Sequence, residues 1–475
     1  MTSLLMLAQI RGDNVAWANH STIHPLALVL VIISGLCVIS MRRQNAILPF
    51  LFMAVFVSSA QRVVVASLDF NLLRLLVLCA MFRIAMRGEY HKIRWSSLDL
   101  FVLLFAISRT AIFTLQWKTS GAFISQAGAT FDAVGTYFVA RCLVRTPSDI
   151  IKIASGFAWL SIPVFLAFIY EFLTHHNPFS MFGGVPKMTA IREGRLRCQG
   201  AFSHPILAGV FWASCLPLVI SLYWQRGNRK TLALAGFFCS MGIVMLTSSS
   251  TPVMGVLAVM LGVGLFFVRW WMSWIFALLC LTLFMLHWTM NKPVWHLISR
   301  ITITKGNTGY HRYLLIDNAI RHFGEWWLEG TRTTANWFDG ALDITNQYIL
   351  EGVQGGFLTF LLFVMIVATA FIFAAKTWRR AGKRTDLVIL AWALWTTIFV
   401  HSISFISVSY FGQITFLWYL HLALVASYAE FMKTATQRQR QLRSAQSAPP
   451  NPSRHTSRQH AQPAAHSQPK HPGLI

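Results

Sequence analysis

The feature that most constrains this chain is its run of long apolar blocks, each near membrane-helix length, separated by short stretches rich in Arg and Lys. A helix rises about 1.5 Å per residue, so about 20 mostly apolar residues cross a bilayer core. Such blocks fall at 24–41, 46–66, 70–86, 97–115, 124–144, 153–173, 205–224, 231–248, 251–268, 271–290, 346–375, 386–407 and 413–432. They predict an all-α fold, a polytopic membrane helical bundle of about 12–13 transmembrane helices. The block at 124–144 carries Asp132 and is expected to tilt or re-enter. Only 12% of residues are charged, too few to cover a soluble globule of this size.

The cations alternate. Arg42 and Arg43, then Arg87, Lys92 and Arg94, then Arg141, Arg145 and Lys152 occupy every second connection, as do Arg226 to Lys230, Arg269, and Lys376 to Arg384. Intervening short turns such as Ser67 to Asp69, Ser248 to Thr251 and Ser409 to Gly412 carry no Lys or Arg. The positive-inside rule then predicts an N-terminus outside and a cytoplasmic C-terminus. It also puts the two long connections, about 174–204 and 291–345, outside. An integral membrane domain at 1–435 would be followed by a disordered basic cytoplasmic tail at 436–475, rich in Gln, Ser, Pro, His and Arg. The first 23 residues lack the basic start and apolar core of a cleavable signal.

A net charge of +24 would suit nucleic acid, but the positive charge sits in loops and tail, where topology places it. Membrane lipid is the expected partner and nucleic acid is not. Seven Cys without CxxC spacing give no zinc site or disulfide framework, and no P-loop or metal motif is present. No metal and no cofactor is expected. Intramembrane Arg62, Arg74, Arg83, Arg109, His287, His401 and His421 require an account, and several lie near block ends, where they can snorkel.

Chemistry concentrates in the two long connections. The first holds Lys187, Arg192, Arg195 and Arg197 against one acid, Glu193. In an extended segment Arg195 and Arg197 point the same way, and planar guanidinium forks suit diphosphate. Gln199 follows them. His204 precedes Pro205, where it can cap the next helix or act in catalysis. The second connection contains a stretch from Tyr310 to Trp327 that is amphipathic as a helix, the pattern of a surface helix. His311, Asp317, Asn318, Arg321, His322 and Glu325 share its polar face. Arg312 falls instead among Leu315, Ile316, Ala319 and Phe323, where a guanidinium either snorkels or needs an anion. Arg332 follows. Asp343 and Asn346 stand where the connection enters an apolar helix, as caps or as proton acceptors. Gly352, Gly355 and Gly356 then permit close packing.

At these two connections, strongest over 191–210 and 310–356, the chain resembles the bacterial O-antigen ligase/polymerase superfamily, in particular its exopolysaccharide-biosynthesis members. The resemblance spans roughly 40–430. It implies a metal-independent glycosyltransferase of the bacterial inner membrane that takes glycan from undecaprenyl diphosphate on the periplasmic face. Arg195, Arg197, Arg312 and Arg332 would then hold the diphosphate. Family members often carry His-Asn before the helix that follows the large loop, whereas this chain reads Thr345-Asn346-Gln347-Tyr348. With that His absent, Asp343, His311 or His204 would serve as base, with Asn346 and Gln199 as further site residues. Expected partners are the undecaprenyl-diphosphate-linked glycan, membrane lipid and other polysaccharide-assembly proteins. The rival readings are a ligase that joins glycan to lipid A core or protein, and a transporter or flippase of lipid-linked glycan. A flippase should carry a central cationic cavity built from its spans.

Overall fold

The computed structural model describes residues 21–65, 68–300 and 308–447. Residues 1–20, Lys305 and the tail beyond 447 lie outside the described residues. The chain is an all-α polytopic helical bundle. Its helices are α1 (Pro25–Ser40), α2 (Leu48–Phe56), α3 (Leu72–Met86), α4 (Ser97–Trp117) and α5 (Ser120–Leu143). They continue with α6 (Pro147–Thr174), α7 (Pro205–Ser221), α8 (Lys230–Leu246), α9 (Ser250–Phe267) and α10 (Met272–Thr289). The second long connection holds α11 (Thr308–Arg321) and α12 (Phe323–Trp326), and α13 (Gln347–Ala381), α14 (Thr385–Phe405) and α15 (Gln413–Ser447) complete the order. Eight of these, α4, α6, α7, α9, α10 and α13 to α15, are long and apolar enough to cross a membrane; α1, α2 and α8 are apolar but shorter.

Local chemistry fixes many of the helix starts. Ser96 with Asp99, and Thr146 with Asp149, form capping boxes, while Asn71 and Thr119 cap α3 and α5. His24 and His204 each precede a proline, and each imidazole Nδ1 accepts the amide two residues on.

Two expectations need correction. The block at 46–66 is not one span. α2 has nine residues, about 14 Å of helix. Polar Ser58, Ser59 and Gln61 follow it, and β-branched Val63 to Val65 then extend as a strand. That strand, β1 (Arg62–Val65), pairs antiparallel with β2 (Leu68–Asn71). Residues 436–447 are helical rather than disordered, because α15 continues to Ser447 through Gln, Arg, Leu and Ala, all good helix formers.

The short cation-rich connections meet at one end of the bundle. There Arg43 pairs with Asp149 at 3.1 Å, Arg83 with Glu89 at 3.1 Å, and Arg141 with Asp99 and Glu430, both at 3.0 Å. The first long connection and the β1–β2 hairpin meet at the opposite end. Ser58 donates to the Gly184 carbonyl, Gln61 to that of Phe182, and Gln413 to that of Ala201. The second connection docks at the same end on α13, whose backbone breaks at Gly356 (φ 69°). The Phe357 amide there donates to the Trp327 carbonyl, and the Thr331 amide to that of Val353. Irregular backbone inside an apolar helix is tolerated when neighbouring chain satisfies it in this way. A side chain at Gly352 would collide with Trp326, so the close packing expected of these glycines is present.

Candidate functional site

Burial sorts the arginines. Four are buried among the described residues: Arg83, Arg141, Arg197 and Arg312. The first two sit at the cation-rich end and face carboxylates. The other two sit at the opposite end, where no carboxylate pairs with them among the described residues. Arg197 donates to the Ser249 hydroxyl at 2.7 Å, and Arg312 to the Thr251 hydroxyl at 3.1 Å. Both therefore grip one turn, Ser248 to Thr251, which links α8 to α9. The two hydroxyl-bearing residues are separated by one position, at most about 7 Å of backbone. Arg197 Nε is buried without a hydrogen-bond partner among the described residues, and the Arg312 fork also donates to Met254 Sδ at 3.8 Å. Burial pulls both guanidiniums below their usual pKa, and Arg192 adds to the effect on Arg197. Hydroxyl dipoles satisfy donors but do not neutralise a cation. An arriving anion would.

The local fold explains how Arg197 gets there. β3 (Ala190–Arg192) pairs with β4 (Arg195–Arg197) through a two-residue turn, Glu193 and Gly194, both with positive φ. Arg195 stands beside the turn and is exposed, while Arg197, at the strand's end, reaches the bundle. The two residues share a strand but not an environment. The next segment is pinned by Glu171, which accepts the amides of Gln199 and Gly200, both at 3.1 Å. Gln199 donates its side chain to the Phe202 carbonyl, so its role is to shape the segment. Gly200 needs its positive φ, and a Cβ there would strike Phe168.

His204 follows. Its Nδ1 accepts the Ile206 amide at 3.2 Å. Burial first, then Arg197 and Arg192, lower its pKa to about 4. The imidazole is thus neutral near pH 7 with Nδ1 engaged. With Nδ1 accepting, the proton of the neutral ring sits on Nε2, so in this geometry the capping role expected of His204 is the one its Nδ1 fills.

The remaining expected residues are dispersed. Arg332 donates to the Gln116 carbonyl and lies over the Trp117 ring, away from the Ser248 turn. Asp343 is exposed. His311 packs edge-on against Phe338. Asn346 caps α13 and donates to the Ile406 carbonyl. On α11, Arg312, Leu315 and Ala319 are buried as the helical projection predicts. Asp317 departs from it: Trp295 Nε1 donates to this carboxylate at 3.0 Å and Arg321 covers it, so it is buried.

Sequence reasoning missed a second feature, a polar cavity of about 250 Å³ at the same end. Arg62, Arg74 and Arg109 line it, so these side chains turn inward rather than snorkel. Each has an acid: Asp69 at 2.9 Å, Asp132 at 2.7 Å and Glu351 at 3.3 Å. Arg109 also donates to Gln354 at 2.6 Å, beside the break in α13. Ser203 lines the cavity and immediately precedes His204 in the chain. Tyr410 on another wall leads to a buried pair: its hydroxyl is 2.8 Å from His401 Nδ1, and His401 Nε2 is 3.0 Å from His421 Nδ1. Asp132 and Glu351, acids inside apolar blocks, were the signal that, read together with the intramembrane Arg62, Arg74 and Arg109, could have pointed here. No family model and no curated protein matches this chain.

Proposed function

We propose that the chain is a membrane glycosyltransferase of the bacterial inner membrane, using glycan linked to undecaprenyl diphosphate as donor in exopolysaccharide or O-antigen assembly. The site-bearing end would face the periplasm, with the N-terminus outside and the C-terminus cytoplasmic. The observation that supports the reading is the pair of buried guanidiniums, Arg197 and Arg312, held by hydroxyls of one turn and by no acid. In the reaction, the bond from the anomeric carbon to the diphosphate oxygen breaks with its electron pair leaving on the diphosphate, and an acceptor hydroxyl forms the new glycosidic bond and passes its proton to the departing diphosphate or to solvent. Negative charge gathers on the leaving diphosphate. Fixed cations in a dry site stabilise that charge most as the bond breaks. The His204 Nε2–H would add a neutral donor. The flippase reading predicts an unbalanced cationic cavity among the spans, whereas each Arg of this cavity has an acid partner. The test is reconstitution in proteoliposomes with a lipid-diphosphate-linked repeat unit. Glycan transfer with release of undecaprenyl diphosphate is expected. Movement of the intact lipid across the bilayer without release would overturn the reading.

A further inference from the structure

We infer that the polar cavity at the site-bearing end is a binding site for a neutral saccharide. Its role as the acceptor subsite rests on the transferase reading, but the binding of sugar does not.

Charge balance is the first argument. Arg62 with Asp69 and Arg74 with Asp132 are pairs within the wall, and Arg109 is paired with Glu351, a buried acid outside the lining, so each cation has its acid. An anion entering here gains one attraction and meets one repulsion at each pair. A neutral polyol meets fixed donors and acceptors with no net field. This differs from the Arg197 and Arg312 cluster, where no carboxylate pairs with either guanidinium among the described residues.

Unmet polar groups are the second. Gln126 on α5 lines the cavity, is 5% exposed, and leaves its side-chain amide nitrogen without a partner among the described residues. Arg109 Nε is likewise buried and unpartnered. A buried unmade hydrogen bond is costly, about 1–3 kcal/mol per group. Sugar hydroxyls both donate and accept, so they can meet an amide and a carboxylate in the same cavity.

Shape is the third. Phe113, Tyr410, Phe411 and Tyr419 contribute ring surface to the walls, which suits the C–H faces of a pyranose. The cavity's 250 Å³ falls just below the range typical of drug-sized ligand sites. That leaves room for the terminal residue of a glycan rather than a long segment. Ser203 connects this wall to His204 and so to Arg197, which places a terminal sugar beside the site assigned to the diphosphate.

The experiment uses the full chain in lipid nanodiscs and saturation-transfer NMR, with methyl glucoside, methyl galactoside, methyl mannoside and glucuronate as probes. At least one neutral glycoside should receive saturation from the wild type and bind in preference to glucuronate. Gln126→Leu, which removes an amide nitrogen the fold does not use, should weaken that binding about fivefold. Asp132→Asn leaves Arg74 uncompensated and should invert the preference toward glucuronate. Absence of transfer to all three glycosides, or unchanged binding and preference in both variants, would overturn the inference. A parallel titration with inorganic pyrophosphate reports the Arg197 and Arg312 cluster. Its failure with sugar binding intact would remove the transferase reading and leave the saccharide site standing.

Discussion

Replacing Arg312 should abolish most activity while leaving the fold as stable as before, and replacing Arg321 should do neither. The two lie on one helix and carry the same charge, so bulk electrostatics cannot separate them. The Arg321 side chain is 70% exposed and pairs with Asp317 at 2.8 Å. Such a surface pair contributes about 0–1 kcal/mol. Arg312 is 6% exposed and donates to Thr251 and Met254. Burying an uncompensated cation opposes folding by several kcal/mol, so Arg312→Met, which keeps the apolar stem, should unfold at the same temperature or higher. If Arg312 contacts the departing diphosphate, the lost charge-assisted bond is worth about 1.5–3 kcal/mol, a ten- to hundredfold drop in rate. Arg312→Lys should fall in between, since it keeps charge but loses the fork. The assay is glycan transfer from a lipid-diphosphate donor in membranes with matched protein levels, paired with thermal unfolding of the purified variants. Equal rates for Arg312→Met and Arg321→Ala would refute the reasoning. A stability loss large enough to explain the rate would refute it too.

The environments of Arg195 and Arg197 predict that Arg197→Lys lowers transfer about tenfold while Arg195→Lys changes it little; the reverse order, in the same assay, would place the anion on the hairpin tip. His204 has a folded pKa of about 4 against about 6.5 unfolded, so between these values the unfolded state holds the extra proton. Stability should then be complete above pH 6.5 and fall by up to about 3 kcal/mol as pH drops toward 4. His204→Asn keeps a capping side chain and should flatten that slope, read as Tm against pH; an unchanged slope would mean another group titrates. At the other end of the bundle, Asp99 is fully buried between Arg141 and Tyr137. Asp99→Asn should therefore destabilise by about 3–5 kcal/mol, and an unfolding midpoint equal to wild type would show that Ser427 and Glu430 suffice for Arg141.

How much of this was legible in the sequence follows from the range of the forces involved. Span positions depend on local hydropathy, and all but 46–66 were placed correctly as helices. That block failed because Val63 to Val65 are as apolar in a strand as in a helix, and only the Ser58 to Arg62 run marks the change. Arg312 was legible because 3.6-residue periodicity is local. Asp317 was not, because the indole that buries it belongs to Trp295, outside the helix. The cavity was least legible of all. Its pairs join Arg74 to Asp132 and Arg109 to Glu351 across different helices, and no spacing rule in one chain links such positions.

Charge compensation ties the two ends of the molecule together. In a medium that penalises every lone charge, an arginine's partner records why it is tolerated. Arg83 and Arg141 have carboxylates and backbone carbonyls, and their removal should cost stability without any change in chemistry. Arg62, Arg74 and Arg109 have carboxylates too, but around an open volume, where paired charges present a polar and neutral wall. Arg197 and Arg312 have only hydroxyls. No carboxylate pairs directly with either among the described residues, and Glu193 on the hairpin turn acts on Arg197 only from a distance. On the transferase reading proposed above, an anionic leaving group would complete their compensation, while the cavity of paired charges would take a partner that brings no charge of its own.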